Sequence, residues 1–168
     1  MTTKHILCKL LVFLLILDLT ASNCDVYKQT MDAIDFWHSY DWSQGMGPAI
    51  DELYTDDAKV TSSTSSGTVT ASPREFFGSF SLEIVRLKID VREIDCAADG
   101  GWCHLRVFAT YSSPSGETVS IPQYWTYFYD PVTCKWAHYV ILQHSNDLEY
   151  MVDVLTQVAD EKDVDGEL

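Results

Sequence analysis

A regular alternation of apolar and polar positions occupies the middle of the chain. From residue 85 to 91 apolar residues alternate with charged ones, which is the period of a strand with one buried and one solvated face. Near Glu93 the alternation of apolar and polar residues shifts by one position, and such a shift predicts a β-bulge. After an Asp-Gly turn at 99–100 the alternation resumes over 105–111, which predicts an antiparallel return strand.

The same pattern predicts further strands on both sides of this pair. Runs over 119–129 and 135–144 read as two more strands, joined by a turn at Asp130-Pro131. Upstream, β-branched and polar residues over 59–71 surround Gly67. We interpret them as a hairpin rather than a disordered linker, because apolar order resumes immediately afterwards.

Helical spacing appears before and after the strands. Apolar residues at helical intervals predict a first helix over 25–41, and Pro48 suits the first turn of a second helix. Ser72 and Glu75 form a capping box around Pro73, which predicts a short helix ending near Phe80. A last helix is predicted from residue 146. Strands segregated from helices indicate an α+β fold with an antiparallel sheet.

The two ends of the chain read differently from its middle. Residues 1–22 have a basic start, a short apolar core and small residues near the end, as in a secretory signal peptide, and the apolar run is too short to span a membrane. One domain is expected over 23–159 and an acidic flexible tail over 160–168. We predict secretion. The final Asp165–Leu168 resembles an ER-retrieval signal, so the ER lumen is the alternative location.

Four cysteines remain after removal of the signal peptide. An even number in an oxidising compartment implies two disulfides, with three possible pairings. In a four-strand meander the turns at 99–100 and 130–131 lie at one end of the sheet. Cys96 then lies opposite Cys103, so the preferred pairing is Cys96–Cys103 with Cys24–Cys134, and the crossed pairings stay open.

The net charge and the absence of certain motifs exclude several classes of partner and cofactor. The formal net charge is −14, which argues against nucleic acid and anionic lipid as partners. The cysteines lack the spacing of a zinc site, and the sequence contains no nucleotide-binding loop or nucleophile motif. We therefore expect neither a metal nor a cofactor.

Three local strings, in this order and spacing, resemble the SnoaL-like or nuclear transport factor two-like superfamily. They are residues 52–60 at a helix-to-strand junction, 72–77 in a short helix, and 135–138 in the last strand. The resemblance implies a cone-shaped curved sheet whose concave face is closed by N-terminal helices to form a pocket. The long Ser/Thr hairpin, the cysteines and the extra C-terminal helix depart from it. Members include enzymes and pure binding modules, so the fold does not choose a function.

Two groups of candidate site residues follow, one from residue type and strand position and one from this resemblance. His138 lies mid-strand between Trp136 and Val140 and could act as a general acid or base on a pocket-facing strand, against the alternative of a structural histidine. Tyr40-Asp41 resembles the Tyr-Asp pair of scytalone-dehydratase-like members, although Asp41 suits a helix end equally well.

An apolar pocket follows from the same placement. We expect it to be lined by Trp37, Tyr54 and Tyr124 besides Tyr40 and His138, with His144 near its rim. The aromatic run 124–129 is dense on both strand faces, and an exposed outer face predicts a homodimer. Two hypotheses result. The first is a module that binds a small apolar or aromatic ligand or serves in dimerisation. The second is a cofactor-free dehydratase or isomerase that uses His138, Asp41 and Tyr40.

Overall fold

The computed structural model describes residues 24–78 and 84–162. The predicted signal peptide, Phe80 and residues 163–168 of the predicted tail lie outside the described residues. The elements are α1 (Val26–Ser39), a 3-10 helix (Trp42–Gln44), α2 (Gly47–Leu53), β1 (Tyr54–Thr64), β2 (Gly67–Ala71), α3 (Pro73–Gly78), β3 (Arg86–Cys96), β4 (Trp102–Ser112), β5 (Thr118–Tyr129), β6 (Trp136–Leu142) and α4 (Ser145–Lys162).

The strands form one curved six-stranded sheet in the order β2-β1-β6-β5-β4-β3. The expected α+β class and the four-strand meander β3–β6 are confirmed. The expectation of a purely antiparallel sheet is wrong, because β1 pairs with β6 in parallel. A parallel pair needs a long connection, and the chain between β1 and β6 supplies one.

Two bulges decide which side chains face which side of the sheet. The predicted bulge in β3 is present, between Val91 and Glu93. A second one lies in β6: Phe128 pairs with His138, and the next residue, Tyr129, pairs with Trp136. Ala137 is thus an extra residue of β6. Because of it, even-numbered side chains before Ala137 and odd-numbered ones after it face the same side of the sheet.

The helices cover one face of the sheet, which we call the inner face. α1 buries the residues at its predicted helical interval, Val26, Thr30, Ala33, Ile34 and Trp37, against this face. The capping box of α3 forms as predicted, with the Ser72 hydroxyl donating to the Glu75 carboxylate at 2.7 Å. At the other end of the sheet, Met151 and Leu155 of α4 pack on Val119 and Ile121 of β5.

Polar and covalent contacts attach α1 to the sheet at its margins. The buried Thr30 hydroxyl lies 2.6 Å from the Tyr129 hydroxyl, and the Ile89 N–H donates to His38 Nε2 at 2.9 Å. The two disulfides, Cys24–Cys134 and Cys96–Cys103, are those of the preferred pairing. The first joins the start of α1 to the turn between β5 and β6, so it spans the whole domain.

Removing a disulfide should cost more stability the longer the loop that it closes, with a logarithmic dependence on loop length. The Cys24–Cys134 pair spans 110 residues and the Cys96–Cys103 pair spans 7. Chain entropy then predicts a loss of about 5 kcal/mol for the double serine variant of the long loop, and about 2.5 kcal/mol for that of the short one. Urea unfolding of both variants measures the difference. Equal losses of stability in the two variants would contradict the conclusion that the Cys24–Cys134 disulfide tethers α1 to the sheet.

Candidate functional site

A cavity of about 610 Å³ lies between the inner face of the sheet and the helices. This is within the range of pockets that hold a small molecule. The structure describes 24 residues in its lining, and eleven of these are aromatic: Trp37, Tyr40, Trp42, Tyr54, Phe76, Phe77, Tyr111, Trp125, Tyr127, Trp136 and Tyr139. The lining residues that are exposed come from the loop after α1, the start of β3 and the turn after β4, so these segments form its solvent-accessible edge.

The sheet side of the cavity is a stack of aromatic rings from β5 and β6. Tyr127 stacks on Trp136 with ring centroids 4.1 Å apart and on Tyr139 at 4.6 Å. Tyr54, the first residue of β1, meets Trp136 edge-on at 5.1 Å. Strand β1 begins at Tyr54, before the predicted residue 59, because Tyr54 already pairs with Trp136. The stacked rings give a flat apolar wall.

The tyrosine hydroxyls add polar points to this wall. Burial raises the pKa of Tyr54, Tyr127 and Tyr139 well above its usual value, and raises the pKa of Tyr111 to about 12. All four phenols are therefore neutral at physiological pH. The Tyr54 hydroxyl is buried and has no hydrogen-bond partner within the described part of the chain.

A second polar group is a pair of glutamines on neighbouring strands. Gln123 is 3% exposed, and its Oε1 accepts from the Trp125 indole N–H at 2.9 Å and from the Tyr111 hydroxyl at 3.2 Å. Its Nε2 donates to Oε1 of Gln143, which follows β6. Both glutamines line the cavity. They form a neutral hydrogen-bonded chain in an otherwise apolar wall.

Asp41 lies at the solvent-accessible edge of the cavity but has a structural task. Its carboxylate caps the 3-10 helix, accepting from the Ser43 hydroxyl at 2.7 Å and from the Gln44 amide at 3.2 Å. These hydrogen bonds lower the pKa of Asp41. Tyr40, which also lines the cavity, donates its hydroxyl to the Gly45 carbonyl. Both side chains thus hold the loop after α1 in place.

The prediction that His138 faces the pocket is wrong. Alternation alone would put it on the face of Trp136, but the extra residue Ala137 turns it to the opposite, outer face. There its Nε2 lies 2.9 Å from the Thr61 hydroxyl, and its ring stacks on Phe128 at 5.7 Å. His138 is absent from the cavity lining, so it shares no substrate position with Asp41.

Two other predicted lining residues also lie elsewhere. Tyr124 is on the outer face, 45% exposed and stacked on His104 at 6.2 Å, because it falls at an even position of β5. His144 is exposed beyond the end of β6 and does not line the cavity, although its neighbour Gln143 does. Trp37 and Tyr54 line it as expected.

The sequence contained a signal for the inward-facing residues of β5 that the sequence analysis did not place in the cavity. In β5 the buried positions are odd-numbered, beginning with the aliphatic Val119 and Ile121. Continuing that period of two leads to Gln123, then to Trp125 and Tyr127. A glutamine in phase with buried aliphatic residues is unusual and marks a polar group in the core.

Neither a metal centre nor a membrane span emerges from residues 24–78 and 84–162. In these ranges no three His, Cys, Asp or Glu residues come together in a way that could hold a metal ion. Nor does any helix within them have the length and apolar character needed to cross a membrane.

The chain has the fold of SnoaL-like and NTF2-like proteins. A candidate SnoaL-like polyketide cyclase from Shewanella putrefaciens CN-32 matches with a TM-score of 0.57 and 13% identity, over 80% of this chain and 98% of that one. SalBIII, an epoxide hydrolase/cyclase-like enzyme with a role in pyran ring formation in salinomycin, matches with 0.53 and 16%, over 73% and 92%. TerC, co-crystallised with polyporic acid, matches with 0.55 and 8%, over 76% and 98%. No family model and no curated protein matches the sequence.

Replacing Tyr54 by Phe should stabilise the protein. The change removes a buried hydroxyl without a partner in the described structure, whose desolvation costs about 1 kcal/mol or more. We expect urea unfolding to show a gain of about 1 kcal/mol. Tyr124→Phe, at an exposed outer position, is the matched control and should change little. A loss of stability in Tyr54→Phe beyond that of the control would mean that the hydroxyl is well bonded.

Proposed function

We propose that this protein binds a small, neutral, apolar or aromatic ligand in the cavity. The observation that carries the proposal is the cavity itself: about 610 Å³ of space with mainly aromatic walls, in a domain that could otherwise pack solidly. Proteins of this fold include TerC, co-crystallised with polyporic acid, and enzymes that act in ring formation, which supports a small-molecule role.

The polarity of the cavity supports a neutral ligand. No lysine, arginine or histidine is found among the described residues of its lining, so none of these residues would compensate a buried anionic group. Asp41, the one carboxylate among the lining residues that the structure describes, is exposed and engaged with Ser43 and Gln44. The unpartnered Tyr54 hydroxyl and the glutamine chain can instead meet hydroxyl, ether or carbonyl oxygens.

The dehydratase or isomerase hypothesis loses its proposed acid–base pair. It required His138 and Asp41 to reach one substrate position, and His138 is on the outer face. Apart from Asp41 at the edge, the acid–base groups of the described lining are neutral phenols whose pKa is raised by burial, such as Tyr127 and Tyr139. Such groups serve better as hydrogen-bond donors than as bases at neutral pH. Binding therefore fits the cavity better.

We propose further that the protein is secreted. Two disulfides are the usual mark of a domain that folds in an oxidising compartment. The proposal also relies on the predicted signal peptide at 1–22, and retention in the ER lumen is its alternative.

A homodimer through the outer face is the second part of the proposal. Tyr124, Phe128 and Leu142 are 45%, 40% and 43% exposed and lie on neighbouring strands β5 and β6. Tyr124 pairs directly with Leu142, and Phe128 lies four residues further along β5 on the same face; we call these three residues the outer patch. An apolar patch at the centre of a sheet face is typical of a surface that another protein covers.

Binding can be tested with 1-aminoanthracene, a neutral aromatic fluorophore. We expect it to brighten in the wild-type cavity, and Ile141→Trp to weaken its binding about tenfold or more by filling the space, a change of at least 1.4 kcal/mol. Val140→Trp is the matched control, because Val140 is the preceding residue on the opposite face of β6. No binding to wild type, or equal effects of the two variants, would refute the proposed site.

Dimerisation can be tested by light scattering coupled to size exclusion. Phe128→Arg places a charge in the outer patch, and we expect it to convert a dimer to a monomer. Val132→Arg puts the same charge on the turn after β5, where Val132 is 86% exposed, and should leave the dimer intact. A wild-type protein that is monomeric at about 100 μM would contradict this part, since stable interfaces bind far more tightly.

A further inference from the structure

We propose that Gln143 offers its amide N–H₂ to the ligand, and that the cavity therefore selects molecules carrying a hydrogen-bond acceptor, such as a carbonyl oxygen. This inference rests on the proposed function and specifies its ligand. It follows from the direction of the hydrogen bonds through Gln123 and Gln143, which we call the glutamine relay.

The direction of the relay is fixed at Trp125. An indole nitrogen can only donate, so the Gln123 atom 2.9 Å from Trp125 Nε1 must be the acceptor oxygen. The same oxygen then obliges the Tyr111 hydroxyl, 3.2 Å away, to act as a donor. Exchanging the oxygen and nitrogen of the Gln123 amide would place its N–H₂ against the indole N–H of Trp125, a donor against a donor.

The orientation of the Gln123 amide in turn fixes the orientation of the Gln143 amide. With its oxygen occupied, Gln123 faces Gln143 with its nitrogen, so the Gln143 atom that it contacts must be an oxygen. The N–H₂ of Gln143 is then the end of the relay. Within the described part of the chain no hydrogen bond from this nitrogen is found, and Gln143 is half-buried in the cavity lining. The nitrogen is not among the buried atoms that lack a partner, so it is accessible and can donate to an acceptor on a ligand in the cavity.

The arrangement gives each residue a separate role. Gln143 is the binding residue, because it would touch the ligand. Gln123, Trp125 and Tyr111 are positioning residues, since they set which end of the Gln143 amide is presented. Reversing the relay should therefore reverse the preference of the cavity without changing its shape.

The test uses three tricyclic probes of nearly the same shape: fluorene, which has no polar group, 9-fluorenone, which has an acceptor, and 9-fluorenol, which has a donor as well. Binding is followed by quenching of the fluorescence of the tryptophans in the lining. We expect wild type to bind fluorenone about three- to tenfold more tightly than fluorene, the gain of one net hydrogen bond.

Gln143→Met keeps the side-chain length and removes the donor. We expect it to abolish the advantage of fluorenone while leaving the affinity for fluorene within about twofold. Gln29→Met on α1, outside the cavity lining, is the matched control and should keep the wild-type ratio. A fluorenone advantage that survives in Gln143→Met overturns the proposed role of Gln143.

Gln123→Glu tests the direction itself. The probes are compared at a pH high enough to ionise the new carboxyl, because burial raises its pKa and a protonated carboxyl would donate to Gln143 as the amide does. The ionised carboxylate accepts from Trp125 and Tyr111 as before but must also accept from Gln143, which then turns its oxygen to the ligand. We expect the preference for fluorenone over fluorenol to fall about tenfold, with the cavity still binding fluorene. An unchanged ratio in folded Gln123→Glu overturns the relay. If this variant does not fold, the Gln143→Met ratio decides alone.

The outcomes separate this inference from the proposed function. Failure of wild type to bind any of the three probes would refute the cavity as a site for neutral aromatic ligands, and the relay with it. Equal binding of fluorene and fluorenone by wild type would leave the ligand site standing and refute only the acceptor preference.

Discussion

The alternation of side chains along β5 determines how the rest of the molecule is arranged. Odd-numbered positions from Val119 to Tyr129 are buried, and the even-numbered ones between them are more exposed. Because β5 is flanked by β4 and β6 in register, the same division extends across the sheet. One set of side chains supplies the aromatic wall and Gln123, and the other supplies the outer patch. The cavity and the proposed dimer surface are thus two sides of one strand pattern.

The fold could be predicted from sequence to a large extent, because its signals are local. The capping box at Ser72, the bulge near Glu93, the turn at 130–131 and the cysteine pairing all depend on neighbouring residues or on simple meander geometry. The parallel pairing of β1 with β6 could not be predicted in the same way, since strands distant in sequence leave no trace of their direction in either segment.

The site was less accessible to prediction because it depends on strand phase. One extra residue, Ala137, reverses the facing of β6, so His138 leaves the cavity and the acid–base hypothesis goes with it. Nothing in the local pattern of an apolar strand distinguishes a bulge from continued alternation. In β5, by contrast, the phase is set by Val119 and Ile121, and it would have identified Gln123 and excluded Tyr124.

A domain of this size that keeps a large cavity must be stabilised elsewhere, since space not filled by side chains forfeits packing. Besides its buried apolar stripe, three contacts at its margins hold α1 over the sheet: the Cys24–Cys134 disulfide, the Thr30–Tyr129 hydrogen bond and the His38–Ile89 hydrogen bond. None of the residues in these three contacts lines the cavity. The cavity lining, including the Tyr54 phenol and the glutamine relay, can therefore vary without loss of these three attachments.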